Sequence, residues 1–391
     1  MSKRKLSTDG AYINNKRSII NHLPVYNINK YRGSSPVYKQ PVEINSYSID
    51  ENRRIWFDNR ELKYYYPATG TDLSIGYDRF IQRDDSILEH LDTLLDAITD
   101  ANNKIKDTNL TKANIITWRG IMTKILCTPY CRTEPWELRA TKYKDSIFIE
   151  EQTTQLKKDQ EANASVRQQL MCYWGYKFET LSTISKPPAS IQQDDDQEIQ
   201  DRVHETANTN VQYCVVVKTS LGNNSIIMGA EVDCTKDEKI KHDPLKNYIE
   251  LKTSRILENP KQIKSFERFK LLKFWAQSFL VGVPKIIVGF RNDDGHIKKI
   301  QEFKTLEIPR LVRNQGYWDP SVCLNFADQV LNWLQKNIID NDPTITYSIK
   351  WQQPWDKLTL EYTGHDNVFL TQRFKEGNIS HDVGGPRIDH I

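Results

Sequence analysis

The 391-residue chain is 38% hydrophobic and sets 54 basic against 51 acidic residues, enough apolar content for one enzyme-sized core but no overall field to capture nucleic acid. A nucleic-acid partner would have to be met by local basic patches, and no run of eighteen apolar residues offers a membrane span, so no membrane role is expected. Of six cysteines, Cys127, Cys131, Cys172, Cys214, Cys234 and Cys323, only the first two are close, which argues against a paired zinc framework and for reduced thiols inside a cell.

Residues 1–50 are rich in Asn, Ser, Tyr and Pro without sustained periodicity and read as an irregular N-terminal arm; residues 51–391 read as a single catalytic domain. Lys3-Arg4-Lys5 followed by Lys16-Arg17 resembles a two-part nuclear-localisation patch, and no apolar stretch in Met1–Lys16 suits a signal peptide. Leu88, Leu91, Leu95 and Ile98 recur at helical spacing, predicting a helix over Asp85–Thr99 capped by Asp84-Asp85-Ser86, with Glu89 beside its apolar stripe. Arg119, between Trp118 and Gly120 in a β-branched stretch, is of the type that grips a phosphate through two donors. Trp136–Tyr143 and Ser146–Glu151 alternate around Lys144-Asp145 and predict a hairpin.

Ala164–Leu181 reads as a helix in which Glu179 follows Tyr173, Trp174 and Phe178, a setting where a carboxylate needs a partner. Gly175 within it costs about 1 kcal/mol relative to Ala and suggests a close neighbour or ligand. Residues 185–210, with Pro187-Pro188 and Asp194-Asp195-Asp196, have no apolar face and read as an acidic surface insertion. Strands follow near Val211–Lys218, Ile226–Asp233 and Tyr248–Thr253, then a helix over Phe266–Val281 carrying Gln277, and a strand at Lys285–Arg291. This strand, helix, strand passage suggests a mixed sheet in an α/β fold. A helix at Asp319–Ile338 and strands at Thr344–Trp351 and Lys357–Tyr362 complete the chain.

Two strings carry most of the chemistry: Glu231-Val232-Asp233 and Glu250-Leu251-Lys252, each in a short apolar run. On a strand, alternate side chains share a face, so Glu231 would project with Asp233, and Glu250 with Lys252. Carboxylates of this kind hold Mg²⁺ or Mn²⁺ for phosphoryl chemistry. Two of them about 4 Å apart repel by roughly 4 kcal/mol at an effective dielectric near 20, so a cluster is costly without a cation. Lys252 can present its ammonium to a scissile phosphate or an attacking water. The plain alternative for either string alone is an exposed strand face with a Glu-Lys pair. Glu179 is the candidate fourth acid, while Gln277 could contact a nucleotide or satisfy a buried backbone group. The eight histidines form no His-X-X-X-His pair, and neither a Gly-X-Ser-X-Gly elbow nor a Gly-rich phosphate loop is present.

Taken in order, Trp118-Arg119-Gly120, Gly175-Tyr176-Lys177-Phe178-Glu179, Glu231-Val232-Asp233, Glu250-Leu251-Lys252 and Gln277 resemble the motif series of the DXO family of eukaryotic decapping nucleases. Flanking similarity runs from Phe57-Asp58 through Arg83-Asp84-Asp85-Ser86 to Val283-Pro284-Lys285, and is nearest to the fungal nuclear branch that partners a 5′ to 3′ exoribonuclease. The resemblance implies two mixed β-sheets with flanking helices, related to the Glu-X-Lys, or PD-(D/E)XK-like, nuclease core. It implies Mg²⁺ or Mn²⁺, two ions, held by Glu179, Glu231, Asp233, Glu250 and the carbonyl of Leu251. Arg119, Lys252 and Gln277 would contact substrate phosphates, Trp118, Gly120 and Glu231 would border the substrate, and Glu89 and Cys214 would line the pocket wall. The implied substrates are RNA 5′ ends bearing a triphosphate, an unmethylated cap or a nicotinamide-dinucleotide cap, processed in nuclear RNA quality control. Two other readings stay open: a noncatalytic stabilising partner of the exoribonuclease, and a DNA-directed Glu-X-Lys nuclease, since metal chemistry alone does not distinguish the sugar.

Overall fold

The computed structural model describes residues 18–68, 71–105, 107, 109–191 and 197–382. The basic strings at Lys3–Lys5 and Lys16-Arg17, and Asp194–Asp196, lie outside the described residues.

Two mixed sheets, one of ten strands and one of six among the described residues, form the α/β framework expected. At the centre of the larger sheet, Asn224–Glu231 pairs antiparallel with Gln212–Leu221 and parallel with Ile115–Trp118. These strands are apolar on both faces because both faces are covered. Val215, Val217, Ile226 and Met228 enter one core with the helices Arg119–Cys127, Leu271–Val281 and Pro320–Asn337. Val216 and Ile227 enter a second core with Leu91, Leu94, Leu95 and Ile98. In the smaller sheet, Tyr248–Arg255 pairs parallel with Lys285–Arg291. Tyr248, Ile286 and Val288 face the first core, which therefore lies between the sheets, while Ile249, Leu251 and Ile287 pack on Tyr173, Trp174, Phe178 and Leu181 of the helix Val166–Leu181.

The chain passes from one sheet to the other within a few residues. Asn224–Glu231 ends at Glu231, Val232 and Asp233 bridge the gap, and Cys234–Thr235 pairs with Tyr248 and Ile249 of the smaller sheet. This crossing places the two acidic strings beside each other.

Several expectations hold in detail. The predicted hairpin is present with Lys144 and Asp145 both at positive φ, the conformation a two-residue turn of this hand requires. The helix ending at Leu181 starts on a Ser165 capping box, and Asp319 caps the helix at Pro320–Asn337.

Four expectations are corrected. A Cβ on Gly175 would meet nothing within 4 Å among the described residues, so the glycine marks no close neighbour. The stretch read as an irregular arm with short extended pieces supplies full strands at Ser18–Pro24 and Val42–Ile49, the latter pairing with Gln212–Leu221 and burying Tyr47 and Ile49 in the second core. The helix predicted from Asp85 begins at Asp92: Asp84 accepts the Ser86 N–H at 2.9 Å and closes a turn, His90 has φ 49°, and Leu88 is exposed, leaving Glu89 ahead of the helix. The segment read as a surface insertion is packed in its second half, where Ile199, Arg202 and Ala207 are buried. Besides these apolar contacts it is ordered by buried cations bonded to main-chain carbonyls, which side-chain patterning does not show.

Candidate active site

Glu231 closes its strand and opens onto a cleft while being hemmed in by protein, and Asp233 follows at the sheet crossing. Glu250 and Lys252 stand on one face of Tyr248–Arg255, and Glu179 lies two residues before the end of the helix Val166–Leu181. Arg119 opens the helix after Ile115–Trp118, the strand parallel to the one that ends in Glu231. Six predicted residues, Arg119, Glu179, Glu231, Asp233, Glu250 and Lys252, thus meet where the sheets join, each within electrostatic reach of others.

The Lys252 ammonium is 2.6 Å from Glu250 Oε1 and 3.9 Å from Asp233 Oδ2, and Arg119 Nη1 is 3.3 Å from Glu250 Oε1. The Leu251 N–H donates to Asp233 Oδ2 at 2.6 Å, which brings the Leu251 backbone into the group. Burial opposes ionisation of Glu250, but Lys252 and Arg119 outweigh it and hold the carboxyl at about 2. Burial pushes Asp233 up to about 7, with Glu250 and Glu231 adding to the rise against Lys252. Burial and then Asp233 raise Glu179 well above the usual carboxylate range, and burial raises Glu231. Lys252 sits above its ordinary value because Glu250 and Asp233 outweigh its own burial.

Four carboxylates at the sheet junction, three of them reluctant to ionise, have the hard oxygen donors that a divalent cation requires. They do not yet converge on one position: no set of three or more His, Cys, Asp or Glu groups is arranged around a common ion among the described residues. Glu250 is held through Oε1 by Lys252 and Arg119, and Asp233 through Oδ2 by the Leu251 amide.

The remaining candidates surround this group. Glu179, Glu231 and Asp233 form the floor of a 420 Å³ cavity walled by Arg83, Tyr176, Thr180, Gln212 and residues 205–209. Gly120 and Gln277 line a separate 250 Å³ groove with Lys124 and Lys273. Cys214 is directly opposite Glu231 in the strand register and buried, its thiol pushed to about 12 by burial and by Glu231, and, contrary to expectation, it does not line the cavity. Glu89 is held by Arg53 Nη2 at 2.6 Å to each oxygen and is 3.8 Å from Arg83, which lines the cavity, whereas Glu89 itself does not. Trp118 packs where a Cβ on Gly229 would come within 2.4 Å of its ring, and its Nε1 donates to the His90 carbonyl. Arg53, Arg83 and Gln212 were missed; Arg83 stands in a string already noted for resemblance, whereas Arg53 and Gln212 carry no local signal. Arg53 reaches Gln212 Oε1 at 2.7 Å across 159 positions of sequence.

The model of the RAI1-like PD-(D/E)XK nuclease family matches residues 39–375. The chain belongs to that family. It is 42% identical over 366 residues to the decapping nuclease RAI1 of Neurospora crassa, covering 91% of this chain and 87% of the relative. Among solved structures, Candida albicans Rai1 in complex with pU5 and Mn²⁺ superposes with a TM-score of 0.81 at 31% identity, covering 91% of this chain and 98% of that one. Scheffersomyces stipitis Rai1 in complex with (3′-NADP)⁺ and calcium gives a TM-score of 0.78 at 30% identity, covering 88% and 97%. The family anticipated from the motif order, its two-sheet fold and its class of enzyme, decapping nucleases that are hydrolases of RNA 5′ ends, are thereby borne out.

Proposed function

We propose that this RAI1-like nuclease uses the sheet junction as a divalent-metal site to hydrolyse RNA 5′ ends, including triphosphate, unmethylated-cap and nicotinamide-dinucleotide ends. The observation that carries the reading is the meeting of Glu179, Glu231, Asp233 and Glu250 with Lys252 and Arg119 at the sheet junction, three of the acids lining the larger cavity. The complexes of the relatives with pU5 and Mn²⁺, and with (3′-NADP)⁺ and calcium, support it.

The four carboxylates and the Leu251 carbonyl would hold Mg²⁺ or Mn²⁺, as two ions, and bound metal would neutralise phosphate oxygens and lower the pKa of an attacking water. Lys252 stays protonated at neutral pH, and its ammonium, 2.6 Å from Glu250, would face the negative charge on the oxygens of a reacting phosphate. Arg119 remains charged and offers planar donors to nonbridging oxygens. Gln277 and Gly120 border the groove that would take the RNA chain, and the larger cavity would take the departing end. Purified protein should release pyrophosphate from 5′-triphosphate RNA with Mn²⁺ and lose that activity in chelator. Cleavage of duplex DNA without action on such RNA would transfer the assignment to a DNA nuclease.

We extend the proposal to a nuclear role beside a 5′ to 3′ exoribonuclease, supported by the basic strings at Lys3–Lys5 and Lys16-Arg17 and by the fungal-branch resemblance. Exclusion of the tagged protein from nuclei, or its purification from nuclear extract without exonuclease activity, would contradict this part.

A further inference from the structure

One buried charge takes no part in the site just described. Lys177 is fully buried on the helix that carries Glu179, yet among the described residues its three acceptors are all main-chain carbonyls: Val203 and Glu205 at 2.8 Å, and Arg202 at 3.5 Å. A buried ammonium costs several kcal/mol of desolvation, so its retention where an apolar residue could pack calls for a specific geometric role. The carbonyls it gathers belong to the segment leading into residues 205–209, which form one wall of the 420 Å³ cavity. Beyond the clamp that segment is tied sideways. The Ile81 N–H donates to the Ala207 carbonyl at 3.1 Å, the Thr209 N–H to the Ile81 carbonyl at 3.0 Å, and the Arg83 N–H to Thr209 Oγ1 at 2.8 Å. Its near end is fixed as well, through Arg202, whose guanidinium donates to the carbonyls of Leu181, Tyr66 and Pro67.

The helix therefore serves the cavity from two sides. Tyr176, Glu179 and Thr180 line it directly, while Lys177, turned away, holds the loop that faces them. The segment's apolar contacts with the adjoining core are Val203, partly buried, and Ala207, so the carbonyl bonds of Lys177 supply the polar half of the tie.

We propose that Lys177 is a positioning residue that sets the width of the leaving-group cavity and thereby the acceptance of bulky 5′ ends. This rests on the hydrolase reading above, in which the departing group occupies that cavity. A pyrophosphate would be held at the floor through the cation that the acids would bind, whereas a departing nucleotide is large enough to meet the wall at residues 205–209. Loss of the clamp thus acts on one class of substrate more than the other.

The test uses Lys177→Met and Lys177→Ala in the full-length protein, with two readouts. Hydrogen exchange should speed up in residues 203–209 and stay unchanged in Tyr248–Arg255, and propylammonium added to Lys177→Ala should restore protection by replacing the deleted part of the side chain. In steady-state assays, kcat/KM for dinucleotide-capped RNA should fall by about ten-fold, mainly through KM, while triphosphate-ended RNA changes less than about three-fold. Unchanged exchange at 203–209, or equal losses for both RNAs carried by kcat, would overturn the proposal. If both variants fail to fold, Thr206→Gly with Asn208→Gly loosens the wall directly and must produce the same selective loss. A wild-type protein inactive on both RNAs would contradict the hydrolase reading, whereas the exchange measurement would still decide whether Lys177 clamps the wall.

Discussion

Glu231-Val232-Asp233 and Glu250-Leu251-Lys252 are alike as sequence and opposite as structure. Glu250 lies within a strand, is flanked by Lys252 and Arg119, and is held at about 2, a carboxylate that stays charged at any ordinary pH. Asp233 lies on the crossing between the sheets, has the backbone N–H of Leu251 and a more distant Lys252, and is pushed to about 7. Burial is the first influence on both, so the difference comes from neighbours rather than depth. The pair of strings joins one carboxylate already compensated by the protein to another that waits for outside charge.

The largest break in this contrast comes from removing the uncompensated side. Glu231→Ala combined with Asp233→Ala should lower Mn²⁺-dependent hydrolysis of 5′-triphosphate RNA by at least about 1,000-fold, because the donors on the floor are gone. Lys252→Met strips Glu250 of its nearest cation and should lower kcat by about 100-fold while changing RNA affinity less; equal loss of affinity with kcat intact would show that Lys252 merely binds. A quieter disturbance is Gly229→Ala, whose Cβ would come within 2.4 Å of the Trp118 ring next to Arg119. Overpacking there should cost about 1–3 kcal/mol, read as a lower Tm, with activity falling as Arg119 shifts from Glu250.

The smallest effect is on pH dependence, and it separates the strings by sign. Asp233 is raised from 3.8 to about 7, so the folded metal-free protein binds more protons than the unfolded chain in that interval and loses stability as pH rises through it. Glu250, lowered from 4.5 to about 2, contributes stability that is complete above 4.5 and is lost only as pH falls toward 2. Thermal melts of the metal-free protein between pH 5 and 8 should therefore fall less steeply in Asp233→Asn than in wild type, while Glu250→Gln should lower the curve across the whole window.

The sequence was most legible where spacing and chemistry coincide. Short apolar runs at Ile226–Asp233 and Tyr248–Thr253 identified the strands, and the motif order joined Glu179 and Arg119 to them before any contact was visible. What alternation could not show is that the strand ends at Glu231, so that Asp233 belongs to a crossing with its own environment. Glu89 was placed on a helix because Leu88 continues the stripe, although the Asp84 turn delays the helix to Asp92. Residues 197–209 were misread for a different reason: Lys177 and Arg202 order them through carbonyls, and carbonyls leave no trace in side-chain patterning. Gln212 gained its place only through Arg53, a contact between distant positions that no local window contains.

The central claim is that the uncompensated acids at the sheet junction take up a divalent cation. Calorimetric titration of Mn²⁺ into wild type and into the Glu231→Ala, Asp233→Ala protein, run in buffers of different ionisation enthalpy near pH 7, tests it without reference to any RNA. Saturable binding accompanied by proton release in wild type, with both lost in the double variant, is the predicted result. Equal Mn²⁺ binding by the two proteins would contradict it.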